Sequence, residues 1–287
     1  MSGTKATPGE TMKQMTVKHA ALAGGTAAAG TQRAAGPRPG FGAAVAFEFT
    51  KLWAVRSTRI TLAVALVAQL GMAWLLGFSA WASGVNGYES AMPAPFMALA
   101  CLQLAQLFIA TLAALAITSE YSNGTIISSL QAVPVRTRLL GAKAAVLGIV
   151  GLGSGVVLVG AGTLVAAPAA GSFGAFTVPD LLLALAGGGV YLGILALVML
   201  GLGALLRSTA GAITGAFVLL FGLPQVLPLF AVDWVQRVVG YLPTTAGQVL
   251  GTGAVEPYGA ATAVIVLVAW AGVLLGAGMW VFTRRDA

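Results

Sequence analysis

Side chains able to do chemistry are scarce in these 287 residues, so their positions carry most of the information. Eight acidic residues, fifteen basic ones, one histidine and one cysteine make up the charged and reactive inventory. A lone Cys101 excludes a disulfide framework and a thiolate-held cluster, and a lone His19 excludes a multi-histidine metal site. No lysine follows a glycine, so there is no G-x-x-x-x-G-K-[ST] phosphate loop; H-E-x-x-H and G-x-S-x-G are missing too. The sequence thus offers no catalytic residues, no metal ligands and no energy source of its own. An active process in this chain has to be powered by another polypeptide.

Three groups of polar residues remain to be explained. The first lies in FGAAVAFEFTKLWAVRST, Phe41 to Thr58, where Val45, Phe47, Phe49 and Leu52 alternate irregularly with Glu48, Lys51 and Arg56. This mixture predicts a helix lying in the membrane interface, its Trp53 and basic groups at headgroup level. The second is SEYSNGTIISSLQAVPVRTRLLGAK, Ser119 to Lys143, far longer than a turn requires. Thr125 is placed to cap a short helix. Ile126, Ile127, Leu130 and Val133 then recur at helical spacing as one apolar face. Pro134 stops that helix, and Arg136, Arg138 and Lys143 follow. Such a helix can press into a partner's groove or lie on lipid, and the residues alone leave both readings open. The third group is Gln103 and Gln106, three apart and therefore on one helix face. Buried amides most often glue helices together; lining a substrate pathway is the alternative.

The elements that hold these groups are membrane spans. Hydrophobic residues make up 58% of the chain and charged ones 8%, with a mean hydropathy of +0.93. A water-facing surface needs about a quarter of its residues charged. The expected fold is therefore an all-α integral membrane protein. Six runs of the roughly 20 residues that a bilayer requires are present: Ile60–Ala82, Pro95–Thr118, Ala144–Ala167, Leu181–Leu206, Gly211–Ala231 and Tyr258–Thr283. None contains a charge, which argues against an ion-coupled carrier. Fourteen of the fifteen positive residues fall on one side of this arrangement, Arg237 being the exception. Both termini are accordingly expected in the cytoplasm of a cell whose plasma membrane holds the chain. Positive charge placed beside apolar runs serves topology and anionic lipid, not nucleic acid.

Residues 1–40, rich in Ala, Gly, Thr and Pro, are expected to be a disordered cytoplasmic lead, with 41–287 as the permeation domain. Asp233 to Val255 carries Trp234, Val235, Val238, Val239, Tyr241 and Leu242, with Pro243 and Gly247 available for a bend. Gly151/Gly155, Gly189/Gly193, Gly211/Gly215 and Gly272/Gly276 are small-xxx-small pairs that permit close helix contact.

The E-F-T-K-L run, six spans and the loop S-E-Y-S-N-G-T-I…L-Q-A-V-P…R-x-R-x-L-x-x-A-K together resemble the permease subunits of the type-2 ABC export class. The closest likeness is to actinobacterial members that pair with a separate ATP-binding subunit, over roughly Phe41 to Arg285. The resemblance implies that the loop after the second span holds the coupling helix that docks on the ATPase. Glu120, Gly124, Thr125, Ile126, Leu130, Pro134, Arg136, Arg138 and Lys143 fall in that region. It further implies a helical hairpin entering the outer leaflet before the last span, at Asp233 to Val255. The cargo expected is lipophilic or amphiphilic, moved outward by a dimer, a homodimer in the simplest case. ATP and Mg would be bound by the partner ATPase and no cofactor by this chain. A non-transporting membrane scaffold is the rival reading, and a secondary carrier a weaker one.

Overall fold

The computed structural model describes residues 40–88, 91–133 and 135–284. The lead with His19, and Glu89, Pro134 and Arg285, lie outside the described residues. Among the described residues all regular structure is helical, and six helices are long and apolar enough to cross a membrane.

The chain enters through α1 (Phe41–Ala54). An extended Val55, at ψ 122°, breaks it from α2 (Arg56–Val85). A short α3 (Ala94–Ala100) leads through a turn at Cys101 into α4 (Leu102–Ser122), so the second membrane-length helix starts later than the apolar run beginning at Pro95. After α5 (Ile126–Ala132) comes α6 (Arg136–Ala170), closed by Pro168 and by Gly171 with φ of 59°. The helix α7 (Val178–Leu206) opens on a capping box. Thr177 Oγ1 accepts from the Asp180 backbone at 3.4 Å, while Asp180 Oδ2 accepts from the Thr177 backbone at 2.8 Å.

Arg207 and Ser208 make the next reversal. Arg207 takes a left-handed conformation, φ 52°, and Ser208 Oγ caps the backbone of Gly211 at 3.3 Å. The segment Thr209–Leu229 is not one regular helix. α8 (Thr209–Phe217) runs into a π-helical stretch, Val218–Gly222, then α9 (Leu223–Val226) and a 3-10 turn at Leu227–Leu229. Pro224 and Pro228 lack backbone donors and crowd the preceding turn, which accounts for the wider and then tighter winding around them. Two short helices, α10 (Asp233–Gly240) and α11 (Pro243–Thr252), precede the last long one, α12 (Ala260–Arg284). A turn at Tyr241 and Leu242 separates the two short helices. Pro243 begins α11, whereas Gly247 lies inside it and makes no bend.

The organising element is α7, which packs against α4, α6, α8, α11 and α12. Apolar side chains gain little from leaving lipid for each other, so close van der Waals contact has to hold these helices together. Glycines supply it. A Cβ on Gly151 would stand 2.6 Å from the Leu192 carbonyl oxygen, and one on Gly155 2.2 Å from that of Gly188. On the facing helix, a Cβ on Gly189 would meet Val156 at 2.9 Å and one on Gly193 the Gly148 carbonyl at 3.2 Å. Those two sequence pairs therefore form one α6–α7 seam. The Gly272/Gly276 pair has nothing within 4 Å and takes no part in such packing.

One expectation is corrected here. The long helices are not free of charge: α4 runs on through Glu120, and α6 begins eight residues before Ala144 and so includes Arg136, Arg138 and Lys143. Hydropathy ends a span at the first charge, but the helix continues because Leu139, Leu140 and Ala142 still find buried positions on it.

Candidate functional site

The charged residues at the helix ends converge. On α1, Ala44 and Glu48 face inward, with Lys51 one turn further along the same side. Phe47, Phe49 and Trp53 face outward, Phe49 edge-on to Trp53 with ring centroids 6.1 Å apart, and Arg56 is exposed. The inward side of α1 rests on α6. This brings Glu48 to Lys143, ninety-five positions later in the chain, whose Nζ donates to Glu48 Oε2 at 2.6 Å. The same ammonium donates to Glu120 Oε1 in the last turn of α4. Lys51 Nζ completes the set, donating to Glu120 Oε1 at 2.6 Å and to Ser129 Oγ on α5 at 2.8 Å.

Two carboxylates and two ammoniums thus form a neutral network that ties four helices together. Glu48, Glu120, Ser129 and Lys143 are all buried, whereas the Lys51 side chain is 32% exposed. Charges out of water are tolerated only when paired, which the mutual geometry provides. The pairing is incomplete on one side: Glu48 Oε1 and Glu120 Oε2 are buried with no donor. A cavity of about 460 Å³ opens against the network, with Glu48, Lys51, Glu120 and Lys143 in its wall.

Ser129 is the residue that sequence reasoning missed. A serine in a short helix reads as solvent-facing, and only its position three residues after Ile126 and four before Val133, on the same face, hints otherwise. The short helix turns differently from the expectation as well. Ile126, Ser129 and Val133 are buried and Leu130 packs on the core, but Ile127 is 56% exposed. Ile127, Ser128 and Gln131, with Ser122, Asn123, Gly124 and Thr125, form the outer side. Thr125 occupies the N-cap position without capping through its side chain; its carbonyl accepts from Ser128 Oγ at 2.8 Å instead. The residues expected to form a coupling loop therefore divide into inner Glu120, Ile126, Leu130 and Lys143, and outer Gly124 and Thr125.

The same end of the bundle is clasped by arginines. Arg136 Nη1 donates to the Phe282 carbonyl at 3.0 Å and Arg207 Nη2 to that of Val281 at 3.1 Å, satisfying acceptors at the end of α12. The Arg207 guanidinium also lies 4.8 Å from the centroid of the Tyr121 ring, which meets Phe282 edge-on. Arg138 is half-buried in the first turn of α6.

Gln103 and Gln106 belong to a second, distant polar cluster. Tyr191 Oη donates to Gln106 Oε1 between α7 and α4, and Gln106 Nε2 donates to the Gln103 carbonyl at 3.1 Å. Gln103 Oε1 and Thr244 Oγ1 are buried without partners beside a cavity of about 10 Å³, room for roughly one water. α11 closes this cluster, its Gly247 so near the Tyr191 ring that a Cβ there would stand at 2.4 Å. Beside it, Tyr258 Oη donates to the Gly240 carbonyl at 2.6 Å and its ring stacks on Tyr241. Burial, and secondarily Tyr241, pushes the Tyr258 phenol above its ordinary range. No group of acidic, His or Cys residues able to hold a metal occurs among the described residues.

A family model for ABC-2 family transporter proteins matches residues 44–223, well over half the chain and all of the network. The chain belongs to the ABC-2 transporter family. It is a transmembrane permease component and not an ATPase, and the family implies an ABC ATP-binding partner. No curated protein matches the chain.

Proposed function

We propose that this chain is the membrane subunit of an ATP-driven exporter that carries a lipophilic or amphiphilic cargo out of the cytoplasm or inner leaflet of the plasma membrane. Two copies assemble with two ATP-binding subunits, which hold the ATP and Mg. The charged end of the bundle, with both termini, faces the cytoplasm; α1 lies in the inner headgroup layer, and α10 and α11 dip into the outer leaflet.

The observation that carries this reading is the two-sided character of α5. Its outer side presents Ile127, Ser128 and Gln131 exposed, with nothing among the described residues covering them, while its inner side is fastened through Ser129 and Lys51 to Glu120, Lys143 and Glu48. ATP closes the partner subunits together and displaces α5. A buried, mutually paired network does not stretch, because separating its charges leaves them unpaired in a low-dielectric setting. The displacement therefore passes to α1, α4 and α6 as a unit, and the pathway opens outward.

Pull-down of the tagged chain from its native membrane in mild detergent tests the proposal. A stoichiometric ATP-binding subunit is expected, with ATP hydrolysis in the eluate, and Ile127→Glu should release it while leaving membrane insertion intact. Absence of any such subunit, under conditions where the dimer survives, would leave a membrane scaffold as the better reading.

A further inference from the structure

We infer that the slot between α2 and α6 holds one tail of an anionic bilayer lipid, whose head is bound by Arg56 and Arg59. The slot has a volume of about 480 Å³, within the roughly 300–1,000 Å³ typical of small-molecule sites. Its floor is the buried Ala65, Ile109 and Leu158. α6 supplies one wall from Ile149 to Leu158, where Gly153 has no side chain and a Cβ would meet nothing within 4 Å. Those nine positions span ~14 Å at the helical rise of about 1.5 Å per residue, close to half of a hydrocarbon core roughly 30 Å thick. Ile149 and Val157 stand exposed at its lip, so in a membrane the slot opens sideways onto acyl chains and not onto water. Within it Ser154 has the one hydroxyl, and no lining residue is charged. A tail fits there and a polar head does not.

The head is selected at the entrance. Arg59, Leu62, Ala63 and Leu66 follow at i, i+3, i+4 and i+7, so Arg59 shares the α2 face that walls the slot, one turn nearer the helix start. Arg56 stands a further turn back on that face. Side chains on a helix lean toward its N-terminus, which carries both guanidinium groups away from the apolar wall and toward headgroup level. Trp53, three positions before Arg56, lines the slot together with Phe49, and tryptophan is enriched at that level. Both arginines are exposed, and neither makes an ion pair or a side-chain hydrogen bond with another described residue. Guanidinium recognises phosphate through paired N–H donors, and each cationic side chain beside an anionic leaflet favours binding. A second copy of the chain complements this site less well. Its Glu48 and Glu120 are buried in their own network, and its Asp180, Asp233 and Glu256 lie at the other end of the bundle, so its described residues bring no counter-charge. Lipid binding stands independently of the permease reading; only the assignment to the inner leaflet rests on the sidedness proposed with it.

The test uses the full chain in mild detergent, freed of copurified lipid by exchange. Dioleoyl-phosphatidylglycerol is the probe, and dioleoyl-phosphatidylcholine is the control with the same tails. Native mass spectrometry counts the lipid bound per chain. One phosphatidylglycerol per chain is expected to bind saturably, and more tightly than phosphatidylcholine. Arg56→Gln combined with Arg59→Gln should weaken it roughly 25-fold, about fivefold for each charge, and bring it level with phosphatidylcholine. Gly153→Phe enters open space, so it fills the slot while keeping the fold and both arginines, and should abolish saturable binding of either lipid. Equal binding of the two lipids by the parent, unchanged affinity in the arginine variant, or parent-like binding by Gly153→Phe would each overturn the inference. So would a parent dimer that takes up no phosphatidylglycerol and that Gly153→Phe splits, which would seat a second copy in the slot. Capture of the ATP-binding subunit by the same preparation reports on the permease reading separately.

Discussion

Lys143 holds two carboxylates at once, Glu48 and Glu120, in a setting that water does not reach. Removing one partner of a buried ion pair typically costs about 3–5 kcal/mol, whereas removing both in balance is close to neutral. Lys143→Met should therefore lower the thermal unfolding midpoint of the detergent-solubilised protein sharply. Glu48→Leu combined with Lys143→Met, which leaves the Lys51–Glu120 pair neutral, should recover most of that loss. The same double variant should still capture the ATP-binding subunit yet stimulate its hydrolysis less, since the ion pairs no longer make α6 move with α1 and α4. An unchanged midpoint for Lys143→Met would show that the network is hydrated and carries no mechanical link. Glu48, Lys51, Glu120 and Lys143 were each legible as notable residues, because charge is conspicuous in so apolar a chain. Their meeting was not legible: Glu48 and Lys143 are brought together by the packing of α1 on α6, and no local pattern encodes that docking.

Helix existence was largely written in hydropathy, since a bilayer demands length and apolarity that few other structures share. Helix ends and helix faces were not. α6 runs past its apolar limit to Arg136, and Ile127 turns outward although its spacing groups it with Ile126, because the rotation of a two-turn helix is fixed by what it docks on. Glycine spacing shows the same limit, with Gly151/Gly155 at a real seam and Gly272/Gly276 at none. A direct comparison follows. Gly155→Leu must push α6 away from the Gly188 carbonyl and should cost at least about 1–3 kcal/mol, seen as lost monodispersity on heating. Gly276→Leu enters open space and should stay within about 0.5 kcal/mol of the parent. Equal effects would mean that the α6–α7 seam is not closely packed in the membrane.

The whole molecule has two unlike ends, and α7 connects them. Near its start, a Cβ on Gly253 would lie 2.9 Å from Leu183, so the segment after α11 sits at that end. At its other end Arg207 stacks on Tyr121, beside the ion-pair network and the last turn of α12. Among the described residues positive charge follows the same division, gathered at the network end apart from Arg237 on α10. Positive residues favour the cytoplasmic side of a membrane, so this asymmetry predicts a sidedness that labelling tests. The lone native thiol, Cys101, is 4% exposed and should be silent toward a membrane-impermeant maleimide. Val255→Cys, at a position 82% exposed beyond α11, should label on intact cells. Gln131→Cys, on the outer side of α5, should label only after the membrane is opened, and bound ATP-binding subunit should protect it. Labelling of both from outside would break the six-span topology, and labelling in the reverse order would invert it, removing α5 from reach of any cytoplasmic ATPase.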